Sequence, residues 1–161
     1  MIRRAFVLSA ASVSLMPSLA RAADTVAGRF IAQKKTAKLA FVSAYETDKD
    51  KLVIVATEKA HAASKTPARD AEFGEFGSAV TISLAKPGGA VSQAQLAHAD
   101  FPQNPITLNN VVKGVDVKFA GDRVEGRFTT NGAQSMFEGK PYAVTFDLDL
   151  QVNVQIRPKA A

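Results

Sequence analysis

The sequence of 161 residues contains no cysteine and no tryptophan, and it has two histidines. Without cysteine there is no disulfide scaffold, no thiolate zinc site, no thiol nucleophile, no iron–sulfur ligation and no thioether-linked haem. The lack of Trp removes the usual platform on which a sugar ring stacks. Nucleotide and hydrolase signatures are missing as well. There is no G-x-S-x-G elbow, no Gly-rich phosphate loop ending in Lys-Ser/Thr, no G-x-G-x-x-G after a strand and no H-E-x-x-H. A Ser-His-Asp hydrolase would have to use His61 or His98 with an unmarked Ser and an unmarked acid, and spacing selects neither. A hydrolase is therefore the least favoured functional class. What is present is 47% hydrophobic and 22% charged residues with mean hydropathy near zero, the composition of one ordinary globular domain.

Met1–Ala22 has Arg3 and Arg4 ahead of an apolar stretch from Ala5 to Leu19, and it ends in small residues. This is the pattern of a secretory signal peptide, with cleavage expected after Ala22 and residues 23–161 forming a single domain in the periplasm or outside the cell. The stretch is shorter than the ~20 apolar residues of a spanning helix and is broken by Ser9, Ser12, Ser14, Pro17 and Ser18. No transmembrane segment is expected in residues 23–161. Arg3-Arg4 followed by Phe6 and Val7 resembles a twin-arginine export signal, with Ile2 where Ser or Thr is usual, so the twin-arginine and general secretory routes both fit.

Arg3, Arg4 and Arg21 leave with that segment, which lowers the net charge from +5 to +2, with 17 basic against 15 acidic residues. The remaining cations, such as Lys49 and Lys51 beside Asp48 and Asp50, are interleaved with acids. They read as a solvated surface, and no nucleic-acid partner is expected.

Period-two patterning dominates the rest. From Val144 to Ile156 every even position is apolar and every odd one polar, which predicts a long half-buried strand. Its core face would be Val144, Phe146, Leu148, Leu150, Val152, Val154 and Ile156, and a one-residue slip would turn all seven into water. Val115–Phe119 and Val124–Phe128 flank Gly121 and Asp122 as a hairpin. Further strands are expected at Val26–Ala32, Ala37–Tyr45, Leu52–Thr57, Ala79–Leu84 and Gln95–Ala99, with no convincing helix. The expected fold is an all-β antiparallel sandwich of about 7–9 strands, with a small β-barrel as the alternative.

Two long loops stand out, His61–Ser78 and Phe101–Asn110. Long loops in compact domains tend to carry function. Phe73 and Phe76, each followed by Gly, would offer an aromatic contact to a protein, envelope component or apolar ligand, or else fold back to cap an open end of the sandwich. His98-Ala99-Asp100 would put an imidazole and a carboxylate on one strand face, and with His61 could hold a divalent metal. The alternative is a histidine packed or hydrogen-bonded locally, with Asp100 opening the next turn. Asp147 and Asp149 share a strand face at a separation of roughly 6.5–7 Å, and their expected role is to keep that face soluble.

The segments Val26-Ala27-Gly28-Arg29-Phe30, Leu39–Tyr45, Leu52–Thr57, Val80–Leu84 with Gly88-Gly89, Leu96-Ala97-His98, Val124–Phe128 and Tyr142–Leu150 together resemble a loose group of small secreted bacterial β-sandwich proteins of uncharacterised function. The resemblance implies an immunoglobulin-like sandwich and no particular activity. The function expected is a non-catalytic binding module for a protein or cell-envelope partner, with a carrier of a small apolar ligand or of a metal at His61, His98 and Asp100 as the alternative.

Overall fold

The computed structural model describes residues 22–48, 50–101, 104–137 and 140–155. Met1–Arg21, and so almost all of the expected signal peptide, lies outside them, as does Ile156 of the expected core face. Among the described residues the chain is all-β, 59% strand and 5% helix, with an open sheet curled into a half-barrel. The barrel-like alternative is compatible with this shape. The order is β1 (Thr25–Ala32), β2 (Lys35–Ala37), β3 (Phe41–Asp48), β4 (Lys51–Thr57), α1 (Pro67–Glu72), β5 (Ala79–Ala85), β6 (Val91–Ala97), β7 (Ile106–Leu108), β8 (Lys113–Ala120), β9 (Arg123–Thr129), β10 (Gln134–Phe137) and β11 (Lys140–Gln155). Eleven strands exceed the expected number because three short ones, β2, β7 and β10, are too brief to leave an alternation in the sequence.

The predicted alternation sits on β11, the strand that joins the two parts of the sheet. Val144, Phe146, Leu148, Leu150, Val152 and Val154 are all buried, as the even-position pattern requires. β11 pairs antiparallel with β1, β9 and β10, and its last residues, Val154 and Gln155, pair parallel with Ala44 and Tyr45 of β3. From β3 the sheet continues as a meander through β4, β5, β6 and β7. The inner faces of the two parts share one core, in which Phe30, Phe128, Phe146, Ile54, Ile82 and Leu148 are among the largest fully buried side chains.

The expected strand Ala37–Tyr45 is two strands. Gln33 and Lys34 take positive φ, which turns β2 back along β1, and after Ala37 the chain leaves that pairing with Leu39 buried. The Ala40 amide then donates to the Thr57 carbonyl, and β3 starts beside β4. The hairpin around Gly121 and Asp122 forms as β8 and β9, with a bulge between Val115 and Lys118. That bulge pushes Val117 into a gap left by three glycines. A β-carbon on Gly89 would lie 2.6 Å from a Val117 methyl, and one on Gly114 2.7 Å from the other; one on Gly126 would lie 3.0 Å from the Val117 Cα. Gly89 belongs to the turn between β5 and β6, so this packing ties the tip of the meander to the β8–β9 edge.

A helix was not expected, and α1 lies inside the long loop His61–Ser78. Thr66-Pro67 opens it and Asp70 stands in its first turn, both ordinary helix-start signals. Six residues are too few to show a period. Pro67 and Ala71 are buried, and Ala71 joins Val55, Ala79 and Ala97 in a second apolar cluster, with Val53, Tyr45, Ala68 and Phe76 packed against it. On β4 the residues Leu52, Ile54 and Ala56 belong to the core cluster, whereas Val53 and Val55 belong to this second one. Strand residues alternate in face, so α1 and its loop cover the outside of the β4–β5–β6 wall.

Candidate functional site

The outer face of β3 and β4 carries the site. In the antiparallel register Phe41 lies opposite Thr57 and Ser43 opposite Val55, which puts Phe41, Ser43, Val55 and Thr57 on one face. The chain leaving β4 bends so that His61 comes over that face. His61 is 5% exposed, and its ring lies 5.8 Å from that of Phe76, centroid to centroid. Its two nitrogens meet two hydroxyls: Nε2 is 2.8 Å from Ser43 Oγ, and Nδ1 is 2.6 Å from Thr57 Oγ1.

This network fixes the tautomer. Thr57 is fully buried and its hydroxyl donates to the Lys59 carbonyl at 2.7 Å. A hydroxyl has one hydrogen, so toward His61 the Thr57 oxygen accepts, and Nδ1–H is the donor. In the neutral ring Nε2 then carries the lone pair and accepts from Ser43 Oγ–H.

Ser43 and His61 line a pocket of about 290 Å³, together with Asp24, Ala40, Phe41, Val42, Ala60, Ala62 and Gln155. Asp24 is held by Asn153, whose backbone amide and side-chain amide both donate to its Oδ1, at 2.7 and 2.6 Å. Phe41 keeps 43% of its surface exposed, although it opens a strand. A wider depression over β8, β9 and β11 is lined mostly by charged and polar side chains, among them Arg127, Asp149 and Glu125.

His98 lies elsewhere. β6 ends at Ala97, so His98 and Asp100 are not two residues of one strand face; a turn brings them together. His98 Nδ1 accepts from the Asp100 amide at 3.1 Å and lies 3.4 Å from Asp100 Oδ2. The His98 ring packs between Phe30, edge on at 5.7 Å, and Phe101 at 5.5 Å, while its amide donates to Asn104 Oδ1. Asp100 in turn accepts from Lys35 Nζ at 2.7 Å, and that bond holds its carboxyl below the ordinary range. His98 thus joins the inner core through Phe30, while His61 sits with the outer cluster through Phe76. Among the described residues no three His, Asp or Glu side chains gather as ligands for a metal.

Phe73 and Phe76 part company. Phe76 turns in against His61 and the outer cluster, whereas Phe73 is 58% exposed just beyond α1. Asp147 pairs with Arg127, and the guanidinium holds its carboxyl below the ordinary range. Both groups are largely solvated, which suits a soluble sheet face.

Sequence reading named His61 and missed Ser43 and Thr57. The usable signal was the apolar run at Leu52–Ala56, which no half-buried strand needs and which announces a second cover. Comparison with family models, curated proteins and solved structures finds no match. Among the described residues no helix is long and apolar enough to cross a membrane.

Proposed function

We propose that the protein is an exported binding domain that takes a small, neutral ligand in the pocket between the start of β3 and His61. The carrying observation is the pocket itself, with a wall of Ala40, Phe41, Val42, Ala60 and Ala62 and a few converging polar groups from Ser43, His61 and Asp24. An apolar wall with a few polar groups is the usual make-up of a small-molecule site, and about 290 Å³ lies just under the usual range. The ligand is therefore small. Asp24 disfavours an anion, and the alanines leave room for a short apolar chain. Export is supported by the Arg-led apolar segment Met1–Ala22 and by the resemblance to small secreted β-sandwich proteins. A two-layer, sandwich-like reading of the fold is supported by the single core that β1, β9 and β11 share with β4–β7.

A second reading, contact with a protein or envelope partner, is favoured by Phe73, which is 58% exposed on the loop that covers the outer face. One observation separates the two. In heteronuclear NMR, butyramide and benzyl alcohol added to the full chain are expected to shift the amides of Ser43, His61 and Ala62 and leave those around Phe73 unmoved. Shifts confined to the Phe73 loop, or none at all, would sink the pocket reading.

A further inference from the structure

We infer that Ser43 is a nucleophile with His61 as its general base, and that the pocket accepts a small carboxylic ester with a short apolar acyl chain. The inference rests on the pocket reading above and adds a chemical step to it.

The geometry contains the nucleophile and the oriented base that step requires. A serine hydroxyl is a weak nucleophile unless a neighbouring base takes its proton, and that base must lie about 2.6–3.2 Å away with its lone pair directed at the oxygen. Ser43 Oγ and His61 Nε2 are 2.8 Å apart. The buried Thr57 hydroxyl, committed to the Lys59 carbonyl, forces the proton onto Nδ1 and leaves Nε2 as the base. Thr57 thereby orients the ring as the carboxylate does in the Ser-His-Asp arrangement, though without its negative charge. It is a positioning residue. Phe76 on the ring and burial of the imidazole hold the orientation against rotation.

The pocket supplies access and selectivity. Ser43 and His61 both line it, so an ester carbonyl can approach Oγ from the open side. Phe41 and the three alanines line the wall beside Ser43 and suit a short acyl chain, and Gln155 brings a neutral amide to the same wall.

In the first step the Ser43 Oγ–H proton passes to His61 Nε2 as Oγ bonds to the carbonyl carbon. The bond from that carbon to the alcohol oxygen then breaks, and the departing oxygen takes the proton from Nε2, giving a free alcohol and an acyl-Ser43 ester. Water completes the cycle: it gives a proton to Nε2, its oxygen bonds to the acyl carbon, and the Ser43 Oγ–carbon bond breaks as Oγ recovers the proton. The balance is ester plus water to carboxylic acid plus alcohol, with no other reactant.

The test uses the full chain with para-nitrophenyl butyrate, a fluorophosphonate probe read by intact mass and peptide mapping, and butyryl para-nitroanilide as the unreactive amide. One phosphonate per chain is expected, on the peptide containing Ser43. Ser43→Ala should abolish that adduct and slow nitrophenolate release by about a hundredfold, with an unchanged melting curve showing that the variant folds. Thr57→Val should lower kcat more than it raises KM. No adduct on the unmodified chain, or an adduct and a rate that survive Ser43→Ala, overturns the inference. If the anilide still shifts the Ser43 and His61 amides while no adduct forms, the nucleophile is refuted and the binding pocket stands; if neither occurs, both readings fall.

Discussion

The β4–β5 wall and the β9–β11 wall belong to one sheet, yet they treat their outer faces in opposite ways. On β4 the sequence LVIVAT is buried at five of six positions, because the core lies on one side and the α1 loop on the other. On β11 the sequence VTFDLDLQVNV alternates, and its odd residues meet water or polar side chains of neighbouring strands, as Asp147 meets Arg127 of β9. A strand covered on both faces loses its period-two signature and reads as a continuous apolar run. A covered outer face also creates a seam where a loop meets a sheet, and the seam here holds His61, Ser43 and Thr57. Polar groups in such a place are held by neighbours rather than by water, so their orientation is specified.

The contrast can be broken most severely from the shared core. Phe146→Ala removes a ring that is 1% exposed and is expected to cost about 3–5 kcal/mol, read as a fall in the urea midpoint without a change of slope; a loss below about 1 kcal/mol would mean that β11 is not the common wall. Phe76→Ala acts on the outer cover alone. Its ring is partly exposed, so about 1–2 kcal/mol is expected, with the largest NMR changes at His61 rather than at Phe146; equal changes at both would erase the distinction between inner and outer clusters.

Thr81→Val sharpens the comparison in the other direction. Thr81 lies on the covered face opposite Val55, is 2% exposed, and its Oγ1 is a buried side-chain oxygen with no hydrogen-bond partner among the described residues. Replacing the hydroxyl by a methyl should stabilise the chain by about 1 kcal/mol, and a destabilised variant would show that the hydroxyl has a partner. The smallest effect belongs to the wet face. Because Arg127 lowers the folded pKa of Asp147, the pair stabilises the fold above the ordinary aspartate value of 3.8, and that contribution is lost as the pH falls through the lower folded value. Asp147→Asn should therefore flatten the acid limb of a stability-against-pH curve and leave neutral pH almost untouched, since exposed ion pairs contribute little. A large loss at neutral pH would contradict a solvated pair.

The same contrast explains what the sequence made legible. β11 and β9 are readable because one dry and one wet face imprint alternation, and Gly121 marks the turn that joins β9 to β8. The split of residues 37–45 is not, since Lys38-Leu39-Ala40 continues the composition of its flanks while the turn at Gln33 and Lys34 relies on positive φ in residues that seldom adopt it. α1 is too short for a period, although Thr66-Pro67 and Asp70 signal its start. At the site, His61 is conspicuous as one of two histidines, but its partners Ser43 and Thr57 come together only through the β3–β4 register. An ordinary Ser and Thr among many carry no mark of that pairing. His98 shows the converse: its nearness to Asp100 in sequence survives in space, and it arises from a turn after β6 rather than from a shared strand face.

β11 pairs with four other strands, and this has a consequence for the order in which the molecule can be completed. The register Thr25 to Gln151 couples the first described strand to the last, whereas β3 to β7 pair with neighbours that follow directly. The meander can therefore assemble while β1 has β2 alone beside it, and the wall that closes over the core waits for the sixteen residues of β11. Such end-to-end pairing is slow to find, because a long loop must close before any contact rewards it. A chain cut before Lys140 would retain the meander without the strand that joins it to β1 and β9, exposing Ile54, Ile82 and Leu96 and inviting association through the apolar face left bare.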